Sequence, residues 1–70
     1  MNIGQTVYET ICKAAERGDK CMKVELPEEL YLEFMTEPGM QRMMGAFGVD
    51  VVSGTGIVPK FFYRMKHENI

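Results

Sequence analysis

The chain has 70 residues, a formal net charge of −2 and two cysteines. A chain so short forms one domain and buries only about 60% of the surface its unfolded form exposes, so a disulfide, a metal or a partner is needed for more than marginal stability. Cys12 and Cys21 are too few for a disulfide scaffold, and no second Cys/His pair gives zinc spacing, so two reduced thiols are expected, with no metal and no cofactor. Self-association, as a dimer or higher homo-oligomer, is then the expected extra source of stability.

No apolar run reaches the roughly 18 residues of a membrane span, and Met1–Gln5 lack the basic flank and apolar core of a signal peptide. A cytoplasmic protein without a membrane partner is therefore expected. Residues 1–37 carry eight acids and four bases, residues 38–70 two acids and four bases. The resulting −4 and +2 are too small a separation for general nucleic-acid binding, which draws on clustered Lys and Arg.

In chain order, Val7, Ile11 and Ala14/Ala15 recur at helical spacing, with Tyr8 and Cys12 widening the stripe, so a helix is expected over 3–17. Asn2 can cap it, Gln5 stands where it can reach back to Asn2, and Gly18 supplies a left-handed stop. Glu9 and Lys13 make an i, i+4 pair. Cys21–Leu26 alternate as a strand, with Met22, Val24 and Leu26 on the core side and Cys21, Lys23 and Glu25 on the wet side. Pro27 suits the first position of a second helix, with Glu28 and Glu29 at its positive end and Leu30, Phe34 and Met35 as its buried stripe, stopping before Pro38. A short helical piece over 40–44, a turn over 45–48, a strand over 49–52, a hairpin turn over 53–56 and a last strand over 57–66 complete the pattern. Pro59 argues for an edge position or a bulge in that strand. The fold class expected is α/β (α+β), a two-layer sandwich in the order α-β-α-β-β. A small three-stranded sheet carries its helices on one face, its first two strands parallel through a right-handed crossover and its last two forming a C-terminal β-hairpin.

The run Met22-Lys23-Val24-Glu25-Leu26-Pro27-Glu28-Glu29-Leu30, followed by Phe47-Gly48-Val49-Asp50-Val51-Val52, resembles the strand, helix and return strand of very short bacteriophage proteins, over roughly residues 22–66. The resemblance implies a phage origin, with the host cytoplasm as its place of action. It also implies a role of the kind such proteins fill, as inhibitors or sponges of host machinery, defence included.

No residue set has the pattern of a catalytic site. His67, the single histidine, sits three residues from the end, where a fraying tail cannot hold a general base. Glu29, Glu33 and Glu37 form a like-charged ridge that reads as a solvated helix face, able to meet a basic partner or to mimic phosphates. Catalysis would need Asp50 or Glu33 lifted into a pocket, and no enzyme is expected. Two surfaces remain. In the last strand Phe61, Tyr63 and Met65 point one way, and Lys60, Phe62, Arg64 and Lys66 the other. An aromatic inside a basic stripe suits a subunit interface or a ring-bearing anion, with Phe62 stacking and Lys60 and Arg64 meeting phosphates. The adjoining Ser53-Gly54-Thr55-Gly56 reads first as a hairpin turn and second as an anion-contacting loop, although the helix of a phosphate loop is missing. The second surface is Met40, Met43 and Met44 beside Phe47, flexible thioethers that fill cores or make adaptable partner interfaces. The expected function is non-enzymatic binding of a host protein or a small nucleotide-like anion. The alternative is a structural or assembly protein whose hairpin edge adds strands to a neighbour.

Overall fold

Asn2 starts the first helix as expected: its Oδ1 accepts from Gln5 N at 2.7 Å, closing α1 over Ile3–Glu16. Residues 2–64 are those described by the computed structural model of the chain, so the expectations for Met65, Lys66 and His67 lie outside them. Gln5 does not reach back to Asn2; its amide donates to Glu9 at 3.2 Å, and Glu9 is thereby engaged without Lys13. At the far end Gly18 takes φ 90°, and the amides of Gly18 and Asp19 donate to Ala15 O and Ala14 O, each at 2.9 Å. That pair of bonds is the Schellman closure, which needs a left-handed residue and so favours glycine.

Strand β1, Lys20–Pro27, carries the centre of the core. Cys21, Val24 and Leu26 are buried, while Met22 is 41% exposed. This corrects the expected alternation at the start of the strand. A bulge between Cys21 and Lys23 sets Met22 outside the ladder, so Cys21 turns inward in its place. Helix α2, Glu28–Met35, buries Phe34, and α3, Met40–Phe47, buries Met44. The third helix is longer than expected because Gly45 continues it. Its stop is Gly48 at φ 73°, where Gly48 N donates to Gly45 O and Val49 N to Met44 O. Strands β2, Asp50–Gly54, and β3, Lys60–Arg64, follow. Ser53 and Gly54 therefore belong to a strand and not to a turn, and Ile57 and Val58 belong to an exposed loop.

The sheet has three strands in the order β2-β1-β3. β1 runs parallel to β2, with Lys23 opposite Asp50 and Glu25 opposite Val52; it runs antiparallel to β3, with Lys23 opposite Phe62 and Glu25 opposite Lys60. The C-terminal hairpin is thus corrected: β2 and β3 do not pair. Residues 55–59 cross the end of β1 and deliver β3 to its far side. Two strand spacings, roughly 10 Å, are within reach of such a loop. The physical reason lies in β1, the strand with the most deeply buried side chains. As an edge it would leave one side of its backbone without a ladder, and as the centre both sides are paired. Pro59, which has no N–H to give, then falls just before an edge strand.

All three helices lie on one side of the sheet, as expected. A single cluster joins Ile3, Val7 and Ile11 of α1, Phe34 of α2, Met44 of α3 and the inward residues of β1, with Val51, Phe61 and Tyr63 packed against it. Among the described residues no buried side-chain N or O atom lacks a hydrogen-bond partner, and no helix is long and apolar enough to cross a membrane.

Candidate functional site

Among the described residues the helices cover one side of the sheet and leave the other bare. Alternation along the strands puts Lys23 and Glu25 of β1, Asp50 and Val52 of β2, and Lys60, Phe62 and Arg64 of β3 on that bare face. The expected split of the last strand therefore holds for its described part: Phe61 and Tyr63 pack on the core, while Lys60, Phe62 and Arg64 are exposed. Phe62 is 43% exposed. The Lys23 ammonium stands 5.4 Å from its ring centroid, within cation–π range. The same ammonium lies 3.8 Å from Glu25 Oε2. Glu25 in turn leans over Gly54, where an added Cβ would sit 3.0 Å from its Oε1. Lys60 turns toward the loop, and an added Cβ on Gly56 would lie 3.9 Å from its Nζ.

Gly54, Gly56 and Lys60 lie at one end of the bare face, Gly54 on the β2 edge and Lys60 on the β3 edge; Phe62 stands further along β3, and Arg64 is at the opposite end, across from Lys20. Ser53 and Thr55 are exposed beside the two glycines. Lys23 and Glu25 belong to this site and were read from sequence only as the wet side of a strand. Period-2 alternation places them there, but the strand order that sets Lys23 beside Phe62 is a long-range fact with no local signal. Lys23, Lys60 and Arg64 against Glu25 and Asp50 leave the face one positive charge in excess, and the cations of β3 stand at the edge away from Asp50. The surface is a platform and encloses nothing, so a ring held there is held by stacking and charge.

The methionine group comes apart. Met44 is only 2% exposed and belongs to the core, which removes it from any partner surface. Met40 and Met43 are half-buried against the core. Phe47 is 38% exposed and stacks on Tyr8 of α1 at 6.1 Å between centroids, with the planes 25° apart. Tyr8 was legible only as the edge of a helical stripe. Its hydrogen bond with Cys12 holds its hydroxyl above the usual phenol pKa, and the electrostatic effect of the same thiol and slight desolvation push the same way.

Two apolar grooves of about 250 Å³ each flank that aromatic pair. One lies between the start of α1 and α3, along Gln5, Met40 and Met43. The other lies between the end of α1 and β1, along Ile11, Cys12 and Ala15. A wider hollow of about 800 Å³ opens at the α2–α3 elbow around Pro38 and Arg42.

Of the two thiols, Cys12 is half-buried and Cys21 buried. Burial raises the pKa of Cys21 above the ordinary thiol value, against smaller opposing effects of the Lys23 backbone, the Lys20 charge and the Phe62 backbone. Cys21 is therefore a poor nucleophile. Among the described residues no three His, Cys, Asp or Glu side chains stand close enough to hold a metal.

Comparison with protein families, curated proteins and solved structures finds no match to this chain.

Proposed function

We propose that the chain is a non-enzymatic binding protein that holds a small anion bearing a planar ring, of nucleotide type, on the bare face of its sheet. The observation that carries this reading is Phe62, an aromatic 43% exposed on an uncovered sheet face, with Lys60 and Arg64 on either side of it along the same strand. A ring stacks on Phe62, and base–aromatic stacking is worth about 1–3 kcal/mol. The anionic groups meet Lys60 and Arg64. Lys23 now covers the Phe62 ring; among the described residues its other partner is the half-buried Glu25 carboxylate at 3.8 Å, so it swings aside at small cost and adds a third cation. An open platform gives less affinity than a cleft, so binding in the micromolar range is expected. The resemblance to short bacteriophage proteins supports sequestration as the use of such binding, a sponge of a host signal in the host cytoplasm.

Native mass spectrometry of the protein purified from its expression host, followed by titration with the ribonucleoside mono- and triphosphates, tests this. A bound mass in the nucleotide range, or saturable binding lost in the double variant Lys60→Glu, Arg64→Glu, supports it. Binding that survives the double reversal, or no binding with large concentration-dependent assemblies instead, overturns it; the second result favours the assembly protein. An oligonucleotide that binds far more tightly than any mononucleotide would replace the small ligand by a polymer.

A further inference from the structure

We propose that the seam between α1 and α3 is where a second copy of the chain docks, forming a two-fold symmetric dimer. At its centre the stacked Tyr8 and Phe47 both stay more than a third exposed. An aromatic pair flanked by two apolar grooves has the anatomy of an interface core. The ends of the seam say what covers it. Glu37 lines the groove at the start of α1, and Lys20 lines the groove at its end. Acid at one end, base at the other and aromatics between make the surface complementary to itself. A two-fold axis through the aromatic pair sets Glu37 against the partner's Lys20 and Lys20 against the partner's Glu37. An isologous interface requires that matching at both ends at once. The rim repeats it: Glu9 lies toward the Glu37 end of α1 and Lys13 toward the Lys20 end, so two antiparallel α1 helices oppose acids to bases. Lys20 is already anchored, donating to Phe47 O at 2.8 Å, so its charge is held at the seam. Lys60 and Phe62 of the bare face stay outside this dimer, and the two surfaces adjoin only where Lys20 stands opposite Arg64.

Sedimentation of the full chain from micromolar to millimolar concentration, with four variants, is the test. The wild type is expected to form a dimer and no larger species. Ala15→Arg puts a cation on an exposed helical position at the groove and leaves the core untouched; it should weaken the dimer by at least about tenfold. Glu37→Lys and Lys20→Glu should each weaken it, and the two together should restore it. Lys20→Glu also removes a cap on α3 and can unfold the chain, so Ala15→Arg and Glu37→Lys decide the matter without it. Maleimide labelling of Cys12, the less buried thiol, should slow as the protein is concentrated. A chain that stays monomeric at every concentration overturns the proposal. So does a dimer indifferent to both Ala15→Arg and Glu37→Lys. Nucleotide titration of Ala15→Arg should match the wild type whichever way the dimer test falls.

Discussion

The two sides of this sheet come from the same few strands and obey opposite rules. On the helix side, β1 offers Cys21, Val24 and Leu26 to the core beneath the helices, and no buried polar or charged residue interrupts that core among the described residues. On the other side, the residues between them, Lys23 and Glu25, meet charges and a single exposed ring. One residue of register separates the two, because a one-residue slip exchanges the faces. The bulge at Met22 makes that exchange locally, within a single strand. Substitutions on the covered side act on stability, and substitutions on the bare side act on binding.

The largest effect belongs to the covered side. Phe34, 1% exposed, is the largest fully buried side chain. Phe34→Ala should cost about 3–5 kcal/mol, most of what a domain this small possesses, and leave the chain largely unfolded by circular dichroism in urea. A fold that survives it with less than about 1 kcal/mol lost would mean that the helix layer is not what holds the sheet.

Next come the turns that place the helices on that side. Gly48 has φ 73°, and an added Cβ there would lie 3.5 Å from Lys20 Nζ. Gly48→Ala should cost about 1–2 kcal/mol, through backbone strain more than through contact. Denaturant midpoints of this variant and of Gly45→Ala separate the two roles. Gly45 lies inside the helix with open space at its Cβ, and alanine there should stabilise by up to about 1 kcal/mol.

A smaller effect appears in alkali. Cys21 has its thiol pKa raised in the folded state, so between the unfolded thiol value, about 8.5, and the higher folded value the native chain keeps a proton that the unfolded chain has lost. The contribution is fully present below the unfolded value and is lost as pH rises toward the folded one. Stability should therefore fall above about pH 8.5. Tyr8, also raised, adds to the fall at higher pH. Cys21→Val should flatten the first part of the fall; an unchanged alkaline profile would show that Cys21 is not its source.

The smallest effects on stability, and the largest on binding, belong to the bare side. Phe62→Ala should lower the unfolding free energy by less than about 1 kcal/mol, since its ring is not among the side chains packed on the described core. It should weaken nucleotide binding about tenfold. Glu25→Gln should act in the opposite direction and tighten binding several-fold, because it removes the carboxylate that faces Lys23 across 3.8 Å and repels an anion. A Phe62→Ala that unfolds the chain, or a Phe34→Ala that keeps the fold and loses only the ligand, would show that the two faces do not divide stability from binding in this way.

Much of the covered side was legible in the sequence. Asn2 and Gly18 mark the ends of α1, and the apolar spacing of Val7, Ile11 and Ala14 marks its buried stripe, because a helix writes its caps and its period locally. The inward pair Phe61 and Tyr63 and the outward Lys60, Phe62 and Arg64 were legible for the same reason, a period of two. Three features were not. The bulge that exchanges Met22 for Cys21 depends on pairing with a strand some forty residues away. The placing of β3 beside β1 rests on the need to centre the most buried strand, and a Gly-rich segment before a strand reads as a hairpin whether or not the strands pair. Gly45 looked like a turn because of its low helix propensity, and tertiary contacts of Met44 and Phe47 on either side overrode it. The candidate site was half legible as a result. Its β3 half is local, and its β1 half, Lys23 and Glu25, waits on strand order.

The bare face, as proposed, is a binding surface. The most direct test is a backbone amide NMR titration of the intact protein with adenosine 5′-triphosphate. A ligand on the bare face predicts shifts that cluster at Lys23, Glu25, Gly56, Lys60, Phe62 and Arg64 and leave Tyr8 and Phe47 still. Shifts centred on the α1–α3 seam, or a spectrum unmoved by this and by every other ribonucleotide, would contradict it.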